Sequence, residues 1–224
     1  MKQDLTARDV RQREIVPPDR LAACPVTVIG VGAVGRQVAL QLAAMGAPHL
    51  QLVDHDVVEV VNLAAQGYLE EDLGALKVEA TARLCKKLNS KIEIDAISKR
   101  FGRSMQVNGV LIACVDSIDT RRFIWQVVKD RVNLLVDGRI SAETLRVLAV
   151  ADEASRAHYP TTLFRAEEAY RGACTARSTI YAASAAGAYI VVAVSRWLRG
   201  MAVDSDLMIN LLASEMTVGP GIAA

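Results

Sequence analysis

The chain has 224 residues and a formal net charge of +1; 52% of the residues are hydrophobic, 23% charged and 4% aromatic. These proportions are those of a globular protein with a sizeable core, and they exclude a disordered chain, which needs low hydrophobicity and high net charge. A net charge near zero gives no general attraction to nucleic acid or anionic lipid, and the few aromatic residues argue against a base-stacking surface. The length fits a single domain over residues 1–224 with an elaboration.

The four cysteines, at positions 24, 85, 114 and 174, lie far apart, and no pair has the CxxC spacing of a zinc site. Such sparse thiols indicate a reducing compartment, and the polar N-terminus lacks the apolar core of a signal peptide, so we expect a cytoplasmic protein. Residues 178–195 carry no charge and are long enough for a membrane span. Because they are rich in Ala and Ser, we interpret them as a small-residue helix packed on a sheet and expect no membrane partner.

Apolar strands alternate with helical segments along the first half of the chain. Residues 1–24 form a polar arm, or a short helix ending at Pro17-Pro18. The periodicity then predicts, in order, a strand at 26–30, a helix at 36–45, a strand at 49–53, a helix at 77–88, and strands at 91–96 and 109–115. Residues 57–76 show no clear period and are expected to be a loop with short helical turns.

The second half continues this alternation. It predicts a helix at 120–131, strands at 133–137 and 145–150, a helix at 178–199, and a last strand within 206–216. Residues 151–177 contain the densest polar sequence of this half and are interpreted as a lid or crossover loop. Strands and helices that alternate in this way define an α/β fold with a Rossmann-like, doubly wound, mostly parallel sheet.

A glycine-rich turn follows the first strand. Gly30, Gly32 and Gly35 form a GxGxxG pattern that opens a helix: the first permits the turn, the second lets backbone approach a phosphate, and the third permits close helix packing. Asp54, 19 residues after Gly35 at the end of the second strand, suits hydrogen bonds from ribose hydroxyls. Gly30, Asp54 and Asp116 all end strands, where such sheets bind their ligands. The glycine turn and Asp54 alone fit ATP, NAD or FAD equally well.

Further motifs follow in a fixed order along the chain. They are Arg11-Gln12 in the arm, Asp56, Asn62 and Gln66 in the segment DVVEVVNLAAQ, Lys77 in the segment GALKVE, Asp116 in the segment CVDS, and Cys174 before the small-residue helix. This ordered set resembles the ThiF/MoeB family, the adenylating fold shared with ubiquitin-activating enzymes, over about residues 8–200.

The resemblance implies activation of a carboxylate by ATP and Mg²⁺. The partner would be a small ubiquitin-like or sulfur-carrier protein ending in glycine, whose terminal carboxylate attacks the α-phosphorus and yields an acyl adenylate and pyrophosphate. Asp116 would hold Mg²⁺ or orient the α-phosphate, unless it only caps the next helix. Lys77 would neutralise phosphate charge, unless it is a solvated helix lysine. Asn62 and Gln66 would position phosphate or ribose groups, unless they only form a turn, and Asp56 belongs to the same site.

Two more residues extend the implied chemistry. Arg11 would reach the γ-phosphate, in a neighbouring subunit if the protein is a homodimer, or it is simply solvated. Cys174 lies before a helix and between basic residues, which would lower its pKa and favour a thioester or persulfide link; a small buried residue is the alternative. Cys24, Cys85 and Cys114 fall in strand or helix patterns and are assigned to the core.

The chain also departs from the family pattern. The arginine of N-L-x-R-Q is Ala65 here, and the family's zinc-binding CxxC pairs are missing. Loss of one preorganised charged contact costs about 10²–10³ in rate, so either Arg13 or Arg36 replaces it, or the protein is a non-catalytic scaffold that binds nucleotide or partner. An NAD- or FAD-dependent oxidoreductase is a further alternative, although the chain after the fifth strand is short for its substrate domain. Asp137 and Arg139 either border a channel for the partner's tail or form a loop ion pair.

Overall fold

The computed structural model describes residues 8–164 and 178–219 as eight strands, seven α-helices and short turns. The strands are β1 (Val26–Ile29), β2 (His49–Val53), β3 (Glu93–Ile97), β4 (Val110–Ala113), β5 (Leu134–Ser141), β6 (Thr144–Val150), β7 (Asp206–Asn210) and β8 (Glu215–Val218). The helices are α1 (Pro18–Ala22), α2 (Ala33–Met45), α3 (Val60–Gln66), α4 (Lys77–Leu88), α5 (Ile118–Val128), α6 (Glu153–His158) and α7 (Ile180–Leu198).

All eight strands form one sheet in the order β3-β2-β1-β4-β5-β6-β7-β8. The strands from β3 to β5 in that order are parallel, and β6, β7 and β8 extend the sheet as antiparallel strands. The chain runs outward from β1 to β3 and then returns to the other side of β1, so the strand order reverses between β1 and β4. This topology confirms the Rossmann-like, doubly wound fold, and the crevice at the reversal is where such sheets bind ligands.

The apolar runs of β1 and β4 place both strands at the centre of the sheet, buried on both faces. Successive side chains of a strand point to opposite faces, so Leu111 and Ile112 belong to two different cores. Ile112 packs in the larger core with α2, α4 and α7, whereas Leu111 packs in the smaller core with α5. Both faces of the central strands are therefore covered by helices.

The N-terminal arm is not free in the part that the structure describes. Arg8 Nη2 donates to the carbonyl oxygens of Ala43 and Ala44 at 3.1 and 3.0 Å, and Gln12 Nε2 donates to that of Met45 at 2.6 Å. These contacts fix residues 8–16 at the C-terminal end of α2. The prediction that a short helix ends at Pro17-Pro18 is wrong: helix α1 begins at Pro18, because proline fits the first helical position, where its missing N–H is not needed.

Two expectations for the second half also need correction. The segment 206–216 is not one strand but the start of a hairpin, in which β7 and β8 pair across a turn that places Ser214 at φ 56°. Residues 151–164 are not a loop, because they contain α6, whose first turn is capped by the Asp152 carboxylate accepting from Ser155 N at 2.9 Å. Their polar sequence reflects helix capping. Residues 165–177, the rest of the expected lid, lie outside the described residues.

Helix α7 is the one helix, among the residues that the structure describes, with the length and apolar composition of a membrane span. Ten of its residues are buried, and it packs against α2, β5 and β6. Gly187 permits a close approach, since a Cβ there would lie 3.0 Å from Cβ of Gln37 on α2. The small residues thus form a core helix of the sheet, as the sequence predicts.

Candidate active site

The glycine turn between β1 and α2 depends on two glycines for packing. Gly30 has φ 84°, and a Cβ there would lie 2.7 Å from the Cys114 carbonyl oxygen. A Cβ on Gly35 would lie 1.8 Å from the Gly30 carbonyl oxygen, so α2 packs directly on the turn. Gly32 differs, because the nearest atoms to a Cβ there belong to the Gln66 side chain, at 3.7 Å or more. The turn therefore has no room for a side chain at Gly30 or Gly35, whereas it is open, with room for a side chain, at Gly32.

The N-terminus of α2 offers unpaired backbone N–H groups at this opening. Its N-cap residue, Gly32, makes no side-chain capping bond, and the carbonyl oxygen of Gly32 accepts from Arg36 N at 3.1 Å. The N–H groups before Arg36 have no partner within the helix. Such an end of a helix attracts anions through its N–H groups and its dipole. This geometry suits a phosphate group.

Two side chains hold the turn in place. The Asp54 carboxylate accepts from Val31 N at 2.8 Å and from Asp56 N at 2.9 Å, and so joins the end of β2 to the turn. On the other side, the Tyr68 hydroxyl donates to the Val31 carbonyl oxygen at 2.6 Å. Burial is the main cause that raises the pKa of Tyr68, so the hydroxyl keeps its proton as a donor. The sequence carried no signal for Tyr68.

A cleft of about 430 Å³ opens beside Asp54. It is lined by His55, Asp56, Val57, Glu59, Asn62 and Lys77. Lys77 is not a solvated lysine: only 9% of its side chain is exposed, and its Nζ lies 3.0 Å from Asp56 Oδ2. An anion entering the cleft would meet a buried ammonium group held by a single, half-exposed carboxylate. His55 and Glu59 also line the cleft, although no motif in the sequence indicates a role for them.

Helix α3 contributes Asn62 and Gln66 to this region. Asn62 Oδ1 accepts from Glu59 N at 2.9 Å in a capping box, so its oxygen serves the helix N-terminus. The buried Gln66 Oε1 has no hydrogen-bond partner within the described part of the chain. A buried polar atom without a partner costs about 1–3 kcal/mol. The Gln66 amide lies beside the open side of Gly32, so a water molecule or a ligand that donates a hydrogen bond there would satisfy this oxygen.

Asp116 lies exposed just beyond the end of β4. It does not cap the next helix: the N-cap of α5 is Ser117, whose Oγ accepts from Thr120 N at 3.4 Å. Over residues 8–164 and 178–219, the one group of three or more potential metal ligands within 4.8 Å of each other is Asp54, His55 and Asp56, without Asp116. Asp116 is therefore a single carboxylate at the carboxyl edge of the sheet.

The arginines proposed from the sequence lie away from the cleft. Arg11 is exposed within the turn that packs at the C-terminal end of α2, and α2 has 13 residues, so it separates Arg11 from Gly32 by about 20 Å. Arg36 is fully buried, donates to the Gly67 carbonyl oxygen at 2.7 and 3.2 Å, and stacks 4.3 Å from the centre of the Tyr68 ring. Arg36 thus stabilises the end of α3 and does not line the cleft.

Asp137 and Arg139 do not form a loop ion pair. Asp137 is fully buried in β5 and forms salt bridges with both Arg121 and Arg139; the Arg139 contact measures 2.8 Å. The Tyr159 hydroxyl donates to the same carboxylate at 2.9 Å. Burial is the main cause that lowers the pKa of Arg121 to about 10, and Asp116 acts in the opposite direction. The cluster thus lies within electrostatic reach of the end of β4.

The described cysteines behave as core residues, as the sequence predicts. Burial raises the pKa of the Cys85 and Cys114 thiols to about 12, and it also raises the pKa of the half-buried Cys24. Thiols of this kind stay protonated and unreactive near neutral pH. The predicted nucleophile Cys174 lies outside the described residues, so its role stays a prediction.

Fold and site together define an α/β protein with a glycine turn, open to a ligand at Gly32, at the reversal of its strand order. The model of the ThiF family matches residues 7–215, and the chain belongs to this family. It is 36% identical over 133 residues to the mouse (Mus musculus) adenylyltransferase and sulfurtransferase MOCS3, an alignment that covers 57% of this chain and 28% of that protein. It is 30% identical over 145 residues to the SAMP-activating enzyme E1 of Haloferax volcanii, covering 61% of this chain and 54% of that protein.

Solved structures share the fold across nearly the whole chain. A crystal structure of PaaA superposes with a TM-score of 0.74 and 17% identity, covering 98% of this chain and 84% of that chain. A crystal structure of Escherichia coli MccB with AMPCPP and MccA gives a TM-score of 0.75 at 16% identity, covering 95% of this chain and 70% of that chain. At these identities the structures establish the fold. The chain matches about a third to a half of the length of the curated relatives above.

Proposed function

We propose that this chain is an ATP-dependent adenylating enzyme that activates the C-terminal glycine carboxylate of a small ubiquitin-like or sulfur-carrier protein. The observation that carries the proposal is the open N-terminus of α2 at Gly32, flanked by the unpartnered Gln66 amide and close to the cleft that contains Lys77. The names of the relatives, an adenylyltransferase and an activating enzyme E1, support the reaction class.

The residues divide the proposed chemistry between binding and charge neutralisation. The N–H groups of α2 and the Lys77 ammonium receive the phosphates, and Asp54, which already accepts from Val31 N, accepts from a ribose hydroxyl. The partner's carboxylate then attacks the α-phosphorus, the bond to the β-phosphate oxygen breaks, and acyl adenylate and pyrophosphate result. Lys77 can serve this step if the nucleotide displaces it from Asp56.

The residues fit Mg²⁺ only together with the nucleotide. Asp116 offers one exposed carboxylate, and Mg²⁺ is usually bound by one or two carboxylates, with waters and substrate phosphates completing its shell. We assign Asp116 to hold this ion, which supplies neutralisation of phosphate charge. Asp54, Asp56 and His55 lie close together, but Asp54 binds the turn and Asp56 binds Lys77.

The charge of the cleft favours a homodimer. Asp56 and Glu59 line it against one buried cation, Lys77, and Ala65 stands where the family pattern has an arginine. A triphosphate there needs further positive charge. Arg11, about 20 Å away along α2, cannot reach the cleft of its own protomer, but a second copy can supply it.

The outer surface of α3 supports the same assembly. Its polar residues Asn62 and Gln66 face the site, whereas Val60 and Val61 are 71% and 75% exposed. An apolar helix face turned to solvent beside a functional site is typical of an interface. We assign a second copy to this face, because the second copy brings the arginine that the cleft lacks.

The remaining assignments complete the proposal. We place this domain in the cytoplasm, without nucleic acid or membrane partners. The Cys174 thiolate attacks the acyl adenylate and accepts the acyl group as a thioester, and AMP leaves. Arg122 donates to the carbonyl oxygens of Leu163 and Phe164 at 3.2 and 2.8 Å. Ala65 favours a second candidate, a scaffold of the same fold that binds nucleotide without catalysis.

The first test is thermal stabilisation by Mg-ATP, NAD and FAD for the wild type and for Asp116→Ala. Saturating Mg-ATP at a hundred times its Kd adds about 2.7 kcal/mol to the free energy of unfolding. We expect stabilisation by Mg-ATP alone, and its loss in Asp116→Ala. The matched control is Asp119→Ala, since Asp119 is an exposed carboxylate on the first turn of α5.

Three results would contradict parts of this proposal. Stabilisation by NAD or FAD without ATP would indicate an oxidoreductase. Stabilisation by Mg-ATP without exchange of labelled pyrophosphate in the presence of candidate carrier proteins would indicate the scaffold, and Ala65→Arg would then be the variant to restore exchange. Equal loss in Asp116→Ala and Asp119→Ala would remove the role of Asp116.

A further inference from the structure

The buried side chain of Arg121, on α5, holds the residue before Asp116, because its guanidinium donates to the carbonyl oxygen of Val115. The carbonyl oxygen of Ser117, the residue after Asp116, accepts from the backbone N–H of Arg121 at 3.1 Å. That second bond belongs to the first turn of α5 and does not depend on the side chain. Asp116 itself is exposed, so its position depends on the turn that carries it.

The same guanidinium ties this turn to the next strand. Arg121 Nη2 also donates to the Gly138 carbonyl oxygen at 3.1 Å, and Nη1 forms the salt bridge with the buried Asp137. Asp137 is shared with Arg139, so two guanidinium groups face one carboxylate and leave one excess positive charge in the cluster. The charge of Arg121 interacts electrostatically with Asp116, the residue that follows Val115.

We infer that Arg121 is a positioning residue for Asp116: it fixes the turn from which Asp116 reaches the metal ion, and it does so without touching the nucleotide. The inference rests on the proposed function, because it assumes that Asp116 acts through Mg²⁺ on ATP. A purely structural arginine, which only clips β4 to β5, would stabilise the fold without affecting Mg²⁺.

The two roles differ in how ATP binding depends on Mg²⁺. We would measure the Kd of ATP by calorimetry, with Mg²⁺ and with EDTA, for wild type, Arg121→Met, Asp116→Asn and the double variant. Arg121→Met is expected to weaken Mg-ATP binding about tenfold and to change binding of metal-free ATP less than about twofold. In the Asp116→Asn background the same substitution is expected to have no further effect, since it acts through Asp116.

Arg131→Met is the matched control. Arg131 also donates to two backbone carbonyl oxygens, those of Arg103 and Met105 at 3.1 and 2.8 Å, and its substitution is expected to lower thermal stability without changing the Mg²⁺ dependence. Arg121→Lys keeps the buried charge if Arg121→Met fails to fold, and we expect a smaller loss of Mg-ATP affinity for it.

The outcomes separate this inference from the proposed function. If wild type binds Mg-ATP and Asp116→Asn loses the Mg²⁺ effect, but the effects of Arg121 and Asp116 add independently, Arg121 is structural and the inference is wrong. Equal weakening of ATP with and without Mg²⁺ in Arg121→Met overturns it as well. If wild type shows no Mg²⁺-dependent ATP binding at all, the proposed function fails and takes the inference with it.

Discussion

At the scale of single residues, the three glycines of the turn are present for different physical reasons. Gly30 and Gly35 are required by packing, since a Cβ at either position would overlap backbone atoms. Gly32 has room for a methyl group, so packing does not explain it. The motif therefore combines two positions that build the turn with one that keeps the end of α2 accessible to a ligand.

This difference predicts that substitution by alanine mainly lowers stability at Gly35 and mainly weakens ATP binding at Gly32. Gly35→Ala is expected to lower the free energy of unfolding by about 3 kcal/mol or more, because the overlapping Gly30 carbonyl cannot move as a side chain would. Gly32→Ala is expected to cost about 1 kcal/mol or less in stability and to weaken ATP binding about tenfold or more. Chemical denaturation and calorimetry measure the two effects. A stable Gly35→Ala protein, or a Gly32→Ala protein that binds ATP normally, would contradict this explanation.

At the scale of elements, α3 exposes two valines to solvent and buries a polar residue, Asn62. Its amides face the site, Val60 and Val61 face solvent, and Leu63 packs against a small core of Val58, Tyr68 and Ala80. Local sequence made this helix hard to predict, because VVNLAAQ gives no regular apolar period toward a core. A second protomer that covered these valines would remove their apolar surface from water.

Replacing the exposed valines tests the interface. The double variant Val60→Lys/Val61→Lys is expected to keep the thermal stability of the protomer and to raise the dissociation constant of a dimer at least tenfold, because two charges would have to lose their hydration. Sedimentation over a range of concentrations measures this constant. Val192→Lys, at a valine 49% exposed on α7, is the control for adding charge elsewhere. An unchanged oligomeric state in both variants would exclude α3 from the interface.

At the scale of the whole molecule, the residues of the proposed site lie at the two ends of one helix. Gly32 begins α2 and faces the cleft, whereas the arm with Arg11 packs on the last residues of α2. A rigid helix cannot bring its ends together, so under the proposed function Arg11 would act in the cleft of a second protomer. Dimerisation would then complete the site, because the cleft of each copy would take Arg11 from the other.

Complementation between variants tests this assembly. Arg11→Ala and Asp116→Ala are each expected to lose pyrophosphate exchange, while their co-expressed mixture recovers about a quarter of the wild-type activity, since half of the dimers then hold one intact site of two. Mixing either variant with itself gives the baseline. No recovery, despite proven mixed dimers, would show that Arg11 acts within its own chain or not at all.

The sequence by itself determined the parts of this protein that depend on neighbouring residues. The apolar runs of β1, β2 and β4, the glycine turn, and α4, α5 and α7 follow from local periodicity and turn chemistry. The placement of Gly30, Asp54 and Asp116 at strand ends followed from the same patterns, because parallel strands bring their carboxyl ends to one edge.

Only the tertiary structure decided the rest, because it depends on contacts between residues far apart in the chain. The burial of Asp137 depends on Arg121 and Tyr159, which the fold brings to β5 from two helical segments. The role of Tyr68 depends on its distance to a carbonyl in the glycine turn. The hairpin of β7 and β8 depends on a turn between the two strands, which the sequence pattern does not predict. Periodicity encodes which face of an element is buried, but not which distant charge or hydroxyl that face will meet.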